Sequence, residues 1–325
     1  MFSFTQIAEI VESEINRLKY DLSPAGLFDP IKYTLMFGGK RIRPSLTLIA
    51  CNLYNDNIDM ALKPALGMEV FHNFTLLHDD LMDKADKRRC QPTVHKKWNT
   101  NTAILSGDAM LIAAYQLIGE TCEPCLKQIL RLFSQTALEI CCGQQYDMEF
   151  EKRTTVSEDE YLEMIRLKTA VLIACCLKTG AILGGAPDTD AEHLYQAGIH
   201  LGLAFQLQDD LLDVYGDMET FGKTIGGDIL CNKKTFLLIN AIHLADKKQK
   251  KAMDFFKNPS NTFTPSEKIQ TYTAIYDQLN IRNITHQRIN MLYALAMEKL
   301  TALTKDSVSL TELIKFCNQL MLREF

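Results

Sequence analysis

The chain has 325 residues, of which 47% are hydrophobic and 23% charged, enough apolar material to bury a large core and an ordinary charge content for a soluble globular protein. Lys and Arg number 35 against 40 Asp and Glu, a net charge of −5. That balance argues against a general nucleic-acid binder, which carries a basic excess, but leaves room for a local basic cluster that grips a small anion.

Residues 1–20 interleave charges with apolar positions, the pattern of an amphipathic helix and not of a signal peptide. Apolar residues at three- and four-residue spacings then predict helices over 60–83, 103–118, 127–152, 157–184, 191–216 and 234–247. Breaks fall at 21–30, 54–58, 119–125, 185–190 and 257–266, where Gly, Pro and Asn gather. Strand-like alternation is scarce, and no composition shift marks a domain boundary. The expectation is an all-α chain forming a single domain over 1–325, one large bundle of about ten helices around a central active-site cavity. No stretch approaches 18 uncharged apolar residues, so no stable membrane insertion is expected and the chain reads as cytoplasmic. The 10 cysteines read as thiols of a reducing compartment. The adjacent pairs Cys141–Cys142 and Cys175–Cys176 point to different helix faces, and the CxxC at Cys122 and Cys125 has no second pair at zinc spacing.

Two acidic clusters stand out. LLHDDLMD at 76–83 and LQDDLLD at 207–213 each place three aspartates at the end of an apolar helix. Asp79 and Asp83 are four apart and share a face, with Asp80 roughly 100° round the helix; Asp209, Asp210 and Asp213 repeat the arrangement. Three like charges within about one turn oppose helix formation and call for a compensating cation or strong solvation. A solvated helix end explains one such cluster, but both follow runs that read as core. Hard carboxylate oxygens suit Mg²⁺, which keeps waters and shares its sites with phosphate oxygens.

Basic residues stand close to the acids. GGKRIRP at 38–44 carries Lys40, Arg41 and Arg43 behind two glycines; Arg88 and Arg89 follow the first cluster; Lys223 and Lys233 follow the second. Arg suits bidentate phosphate contact and Lys supplies a point charge. Arg41 is left open between a phosphate contact and a structural charge. GKT at 222–224 lacks the rest of a P-loop. His72 lies two turns before Asp79 on the same face, and His78 reads as a satisfied core histidine.

GGKRIRP, HDDLMD followed by KRR, LKTA, FQLQDDLLD and GKTIGGDILCNKK occur here in the order seen in trans-prenyl diphosphate synthases, and the chain resembles that family, of the short-chain farnesyl and geranylgeranyl type, over roughly 35–240. The resemblance implies the isoprenoid-synthase helical bundle. It implies that Asp79, Asp83 and Asp209 hold Mg²⁺, three ions bridged by the diphosphate. Asp80, Asp210 and Asp213 join the catalytic set with Lys168 and Lys223. Lys40, Arg43, His72 and Arg89 would hold isopentenyl diphosphate. Arg88, Lys168, Thr169, Gln206, Lys223 and Lys233 would surround the allylic diphosphate. A homodimer is implied as well. One departure is Cys90, where the family commonly has glycine after the paired arginines, and residues 250–325 carry no matched motif.

The implied reaction is ionisation, condensation and elimination. The allylic C–O bond breaks, the isopentenyl double bond attacks the cation, and a proton leaves, with the released diphosphate as a plausible base. Phe74 and Thr75, just before the first cluster, would set the floor of the product cavity, and the expected product is C15–C20, geranylgeranyl diphosphate favoured. A class I terpene cyclase is the competing enzyme, but it does not need the second diphosphate site of Lys40, Arg43 and Arg89. An inactive regulatory subunit of a heteromeric synthase would be expected to have lost an aspartate cluster, and both are whole.

Overall fold

The computed structural model describes residues 2–216, 225–258, 260–304 and 307–321. Helices follow one another along the chain: α1 (Phe4–Arg17), α2 (Ala25–Leu35), α3 (Ile42–Asn52), α4 (Asp59–Met82), the short strands β1 (Lys87–Arg88) and β2 (Gln91–Pro92), α5 (Val94–Lys97), α6 (Thr100–Gly119) and α7 (Glu123–Lys152). After α8 (Glu158–Ile165), a π-helical turn (Arg166–Ala170) and α9 (Val171–Gly184) come α10 (Asp188–Tyr215), α11 (Gly227–Leu230), α12 (Phe236–Leu244), α13 (Lys247–Phe255), α14 (Pro265–Gln278), α15 (Ile281–Thr301) and α16 (Ser307–Met321).

Local chemistry sets several of these boundaries. Ser3 with Gln6, Ser157 with Glu160 and Thr264 with Glu267 form reciprocal capping boxes, each satisfying orphan N–H groups at a helix start. Periodicity predicts one helix over 234–247, yet the backbone turns extended at Ala245 and restarts because Asp246 and Gln249 make a further capping box. The break expected at 21–30 is shorter than its Pro and Gly content suggests, since α2 begins at Ala25 and accommodates Pro30. The hairpin of β1 and β2 carries no periodicity signal, being two residues per strand.

The chain forms two compact units. The first comprises Met1–Ala137, Leu172–Gly198 and Lys299–Phe316. In it α4 packs on α3 and α6, over a core that includes Leu46, Leu48, Met68, Phe71 and Phe133, with Phe71 and Phe133 edge-to-face at 5.0 Å. Asp190 is a buried staple here, accepting hydrogen bonds from the Tyr54 hydroxyl at 2.9 Å and the Thr304 hydroxyl at 2.6 Å. The second comprises Leu138–Val171, Ile199–Glu298 and Cys317–Phe325. Its core gathers Tyr161, Leu207, Leu211, Phe236 and Tyr276.

Counting uncharged residues passes over two segments that mean hydropathy picks out. Thr100–Gly119 and Glu158–Gly184 are long and apolar enough to cross a membrane by length and composition. In the second, 83% of the most apolar window is buried, so its apolar side chains serve the core.

Candidate active site

The first acidic motif ends α4, where the helix dipole is negative and the last turn holds no basic residue, so α4 itself disfavours Asp79, Asp80 and Asp83. Packing separates the three. Asp80 is buried, and both its oxygens accept from Arg88 Nε, at 2.9 and 2.8 Å, with Arg88 Nη2 2.8 Å from Oδ1. Burial raises the Asp80 pKa although Arg88 pulls it down. Asp79 remains half-buried with Arg88 Nη2 at 3.7 Å, and Asp83, at the helix cap, is exposed.

Arg88 lies on β1, paired with Gln91. The two turn residues, Arg89 and Cys90, have φ of 50° and 63°, the left-handed pair of a type I′ turn that favours Asn-Gly. This accounts physically for a glycine preference where Cys90 stands. The turn aims Arg89 at the 38–43 loop, where its Nη1 donates to the Gly38 carbonyl. Gly39 has φ 133°, a conformation that favours glycine, and a Cβ there would lie 2.7 Å from the Arg89 guanidinium and push it aside. Lys40 follows in the same loop and is exposed. Arg43, in the first turn of α3, places Nη1 3.0 Å from His72 Nε2. Burial first, then the charges of Arg43 and Arg89, hold the His72 pKa well below its ordinary value; the ring is neutral and Nε2 accepts from Arg43. Lys40, Arg43, His72 and Arg89 thus gather around one loop. Arg41 is different: it is buried and bonded to Glu12 at 3.0 Å, Glu69 at 2.9 Å and the Leu35 carbonyl at 2.7 Å, which makes it a structural pin.

One to two turns before the aspartates, Phe74 is half-buried between Phe71 (5.5 Å) and His78 (4.8 Å). The Thr75 hydroxyl donates to the His72 carbonyl at 2.8 Å. His78 is satisfied by the Ile104 carbonyl, 3.2 Å from Nε2, as expected of a core histidine.

The second motif lies near the C-terminal end of α10, again with no basic residue in the last turn. Asp210 is buried; it accepts from the Tyr161 hydroxyl and from Gln206 Nε2 at 3.1 Å. Burial, reinforced by the charge of Asp228, raises its pKa to about 8. Asp213 is buried too, and its Oδ2 accepts the Asp228 N–H at 3.0 Å, capping the start of α11. Asp209 alone of the three stays half-exposed.

Lys168 and Thr169 sit on the π-helical turn, a widened turn that often marks functional sites. Lys168 Nζ is 2.6 Å from Asp147 Oδ2, and the Thr169 hydroxyl donates to Gln206 Oε1 at 3.0 Å. Thr169, Gln206, Asp210 and Tyr161 therefore form one hydrogen-bonded relay. It borders a cavity of about 90 Å³ whose wall includes Lys168, Lys233, Lys234 and Asp228. Lys223 lies outside the described residues. Sequence reading missed Asp147, Tyr161 and Asp228. Only Asp147 carried a signal: Gly143, one turn earlier in α7, sits mid-helix because a Cβ there would lie 2.4 Å from the Lys168 backbone nitrogen.

Among the described residues no three His, Cys, Asp or Glu side chains converge into a ready metal cage. The accessible Asp79, Asp83 and Asp209 offer incomplete sets of carboxylate oxygens. Mg²⁺ favours such sets, taking one or two carboxylates and completing its shell with waters and phosphate oxygens, so the donor chemistry fits it.

The polyprenyl synthetase family model matches residues 24–275. A geranylgeranyl diphosphate synthase of Methanosarcina mazei is 36% identical over 318 residues, 97% of this chain and 95% of that protein. A crystal structure of a geranylgeranyl pyrophosphate synthase is 43% identical, covers 100% of both chains and superposes with a TM-score of 0.94. A Corynebacterium glutamicum geranylgeranyl pyrophosphate synthase, crystallised with isoprenyl diphosphate and magnesium, is 25% identical, covers 99% of this chain and 97% of its own, and has a TM-score of 0.85.

Proposed function

The chain belongs to the polyprenyl synthetase family, and from that premise we propose how its residues divide the work of joining isopentenyl diphosphate to an allylic diphosphate. It is a prenyltransferase of the short-chain class, with geranylgeranyl diphosphate the favoured product. One observation carries the division of roles. Burial and hydrogen bonding commit Asp80, Asp210 and Asp213 to Arg88, Tyr161 and the α11 backbone, while Asp79, Asp83 and Asp209 stay accessible.

Asp79, Asp83 and Asp209 would hold Mg²⁺, as three ions bridged by the diphosphate. Bound there, Mg²⁺ neutralises the charge that builds on the departing diphosphate. Lys168, Thr169, Gln206, Lys233, Lys223 and Arg88 receive the allylic diphosphate. Asp147 and the Thr169–Gln206 bond orient the first three before substrate arrives. Lys40, Arg43, Arg89 and neutral His72 receive isopentenyl diphosphate, with His72 fixing the Arg43 guanidinium. The allylic C–O bond breaks with its electron pair leaving on the diphosphate. The isopentenyl double bond attacks the cation, and the released diphosphate takes the proton. Water must be excluded, since it would trap the cation as an alcohol. Phe74 forms the floor against which the product stops.

Residues 1–325 act as one catalytic domain, and the working form is a cytoplasmic homodimer. Ile104, Leu105 and Ile112, exposed by 44%, 60% and 61% within one arc of α6, support a face for a second copy.

The test is to incubate the purified chain with Mg²⁺, isopentenyl diphosphate and each of the C5, C10 and C15 allylic diphosphates, then separate products by length. A C20 diphosphate as main product, with C15 next, is expected. A cyclised hydrocarbon, or no turnover with any primer, would overturn the proposal.

A further inference from the structure

Helix α13 (Lys247–Phe255) presents Lys247, Lys248, Lys250 and Lys251, all exposed, within its first turns. This end of a helix carries partial positive charge and favours acids, so the lysines oppose both the dipole and one another. Among the described residues none of the four ammonium groups has a carboxylate or other partner. The helix's one acid, Asp254, is taken by Lys257 at 2.8 Å, and the preceding Asp246 is spent capping the Gln249 N–H at 2.8 Å. Within α13 itself the cluster is therefore locally unfavourable.

The patch is rigidly mounted. On the inner face of α13 Met253 is buried and its carbonyl accepts from the Tyr272 hydroxyl at 3.2 Å, while Gln249 bonds Gln278 at 3.1 Å. On the outer face Phe255, 45% exposed, stands one turn after Lys251 and two after Lys248. Its ring is 5.2 Å from Phe256 and 6.4 Å from Phe263. Lys248, Lys251, Phe255 and Phe256 line an open depression of about 420 Å³. Lysines flanking an exposed aromatic on one helix face are the arrangement of an interfacial helix, whose cations meet lipid phosphates while the ring enters the headgroup boundary.

We propose that this face docks the protein peripherally on the surface of an anionic lipid bilayer. A soluble polyanion would need only the lysines; the exposed Phe255 favours a surface with an apolar layer beneath its charges. The use of such docking, release of a product with a diphosphate head and hydrocarbon tail beside a bilayer, rests on the reaction proposed above; the docking does not.

The full chain is to be sedimented with extruded vesicles of phosphatidylcholine alone and of phosphatidylcholine mixed with phosphatidylglycerol. Binding to the mixed vesicles only, weakening as salt rises, is expected. Lys248→Glu with Lys251→Glu should lower the vesicle affinity by about tenfold or more, and Phe255→Ser by about threefold. Lys248→Arg with Lys251→Arg should retain it. Circular dichroism melting establishes that each variant is folded, and prenyl transfer in detergent-free solution should be unchanged in all three, so loss of docking is distinguishable from loss of catalysis. No binding to mixed vesicles, or undiminished binding by the charge-reversed variant, would overturn the proposal. So would full competition by heparin together with indifference to Phe255→Ser, which would mark a polyanion site.

Discussion

Arg88 grips Asp80 through Nε and Nη2, every contact within 2.9 Å, and does not approach the neighbouring Asp79 closer than 3.7 Å. One acid of the first motif therefore anchors Arg88, while its neighbour keeps more of its surface open, as the metal role proposed for it requires. Asp80→Asn should cost roughly 2 kcal/mol of stability, since it leaves a mostly covered guanidinium without its counter-charge. It should raise KM for the allylic substrate more than it lowers kcat. Chemical denaturation with steady-state kinetics reads both effects.

Asp79 and Asp209, the accessible acids, should behave oppositely. Both are only partly covered, so Asp79→Ala and Asp209→Ala should melt within a few degrees of the parent. Each should slow turnover by roughly a thousandfold or more, because the leaving group loses its cation. Thermal melting beside single-turnover rates checks this, and near-normal turnover in either folded variant would contradict the assignment.

His72 gives stability a pH dependence of definite sign. Its folded pKa is held well below the model-compound value of 6.5 by burial and the surrounding arginines. The unfolded chain therefore binds a proton near pH 6.5 that the folded chain refuses, and stability falls as pH drops through that value. His72→Gln, which can still accept from Arg43, should flatten this part of the curve. Urea midpoints between neutral and mildly acid pH will test it; parallel curves for the two proteins would remove His72 as the cause.

The sequence was most legible where charge contradicts burial. The two aspartate triplets could be found because acids abut apolar runs, and the accessible members the family resemblance had marked, Asp79, Asp83 and Asp209, are those the structure leaves exposed or half-exposed. Helix existence followed from periodicity, while the split at Ala245 did not, because one local capping box, Asp246 with Gln249, decides it. Asp147, Tyr161 and Asp228 stayed hidden for a different reason. Their roles come from long-range contacts to Lys168, Asp210 and Asp213; Gly143, one turn before Asp147, is the one local hint, and nothing in the pattern around Tyr161 and Asp228 sets them apart from surface or core residues of the same type. The Arg89–Cys90 turn was legible only as a departure, since strands of two residues leave no alternation to read.

Product length offers a test confined to one side chain. Phe74 is half-buried against Phe71 and His78, and truncating it opens space one to two turns from the first aspartate cluster. Phe74→Ala should shift the main product beyond C20 with the total rate of isopentenyl incorporation within about tenfold of the parent. Reversed-phase separation of the dephosphorylated products reads the shift, and an unchanged distribution would take Phe74 out of this role.

Cys90 tests the hairpin that delivers Arg89. Its φ of 63° lies in the left-handed region, where a side chain costs about 1–2 kcal/mol that glycine avoids. Glycine also gains unfolded-state freedom worth about 0.5–1 kcal/mol, so the two effects partly cancel. Cys90→Gly should therefore melt at or slightly above the parent temperature with unchanged KM for isopentenyl diphosphate. Cys90→Val should do the reverse: a β-branched residue resists this conformation more strongly, the turn opens, and Arg89 loses its aim at the Gly38 carbonyl. The KM for isopentenyl diphosphate should then rise by about tenfold, while that for the allylic substrate moves less, because Arg88 on the same hairpin is held by Asp80. An unchanged KM for isopentenyl diphosphate in folded Cys90→Val would show that the turn does not position Arg89.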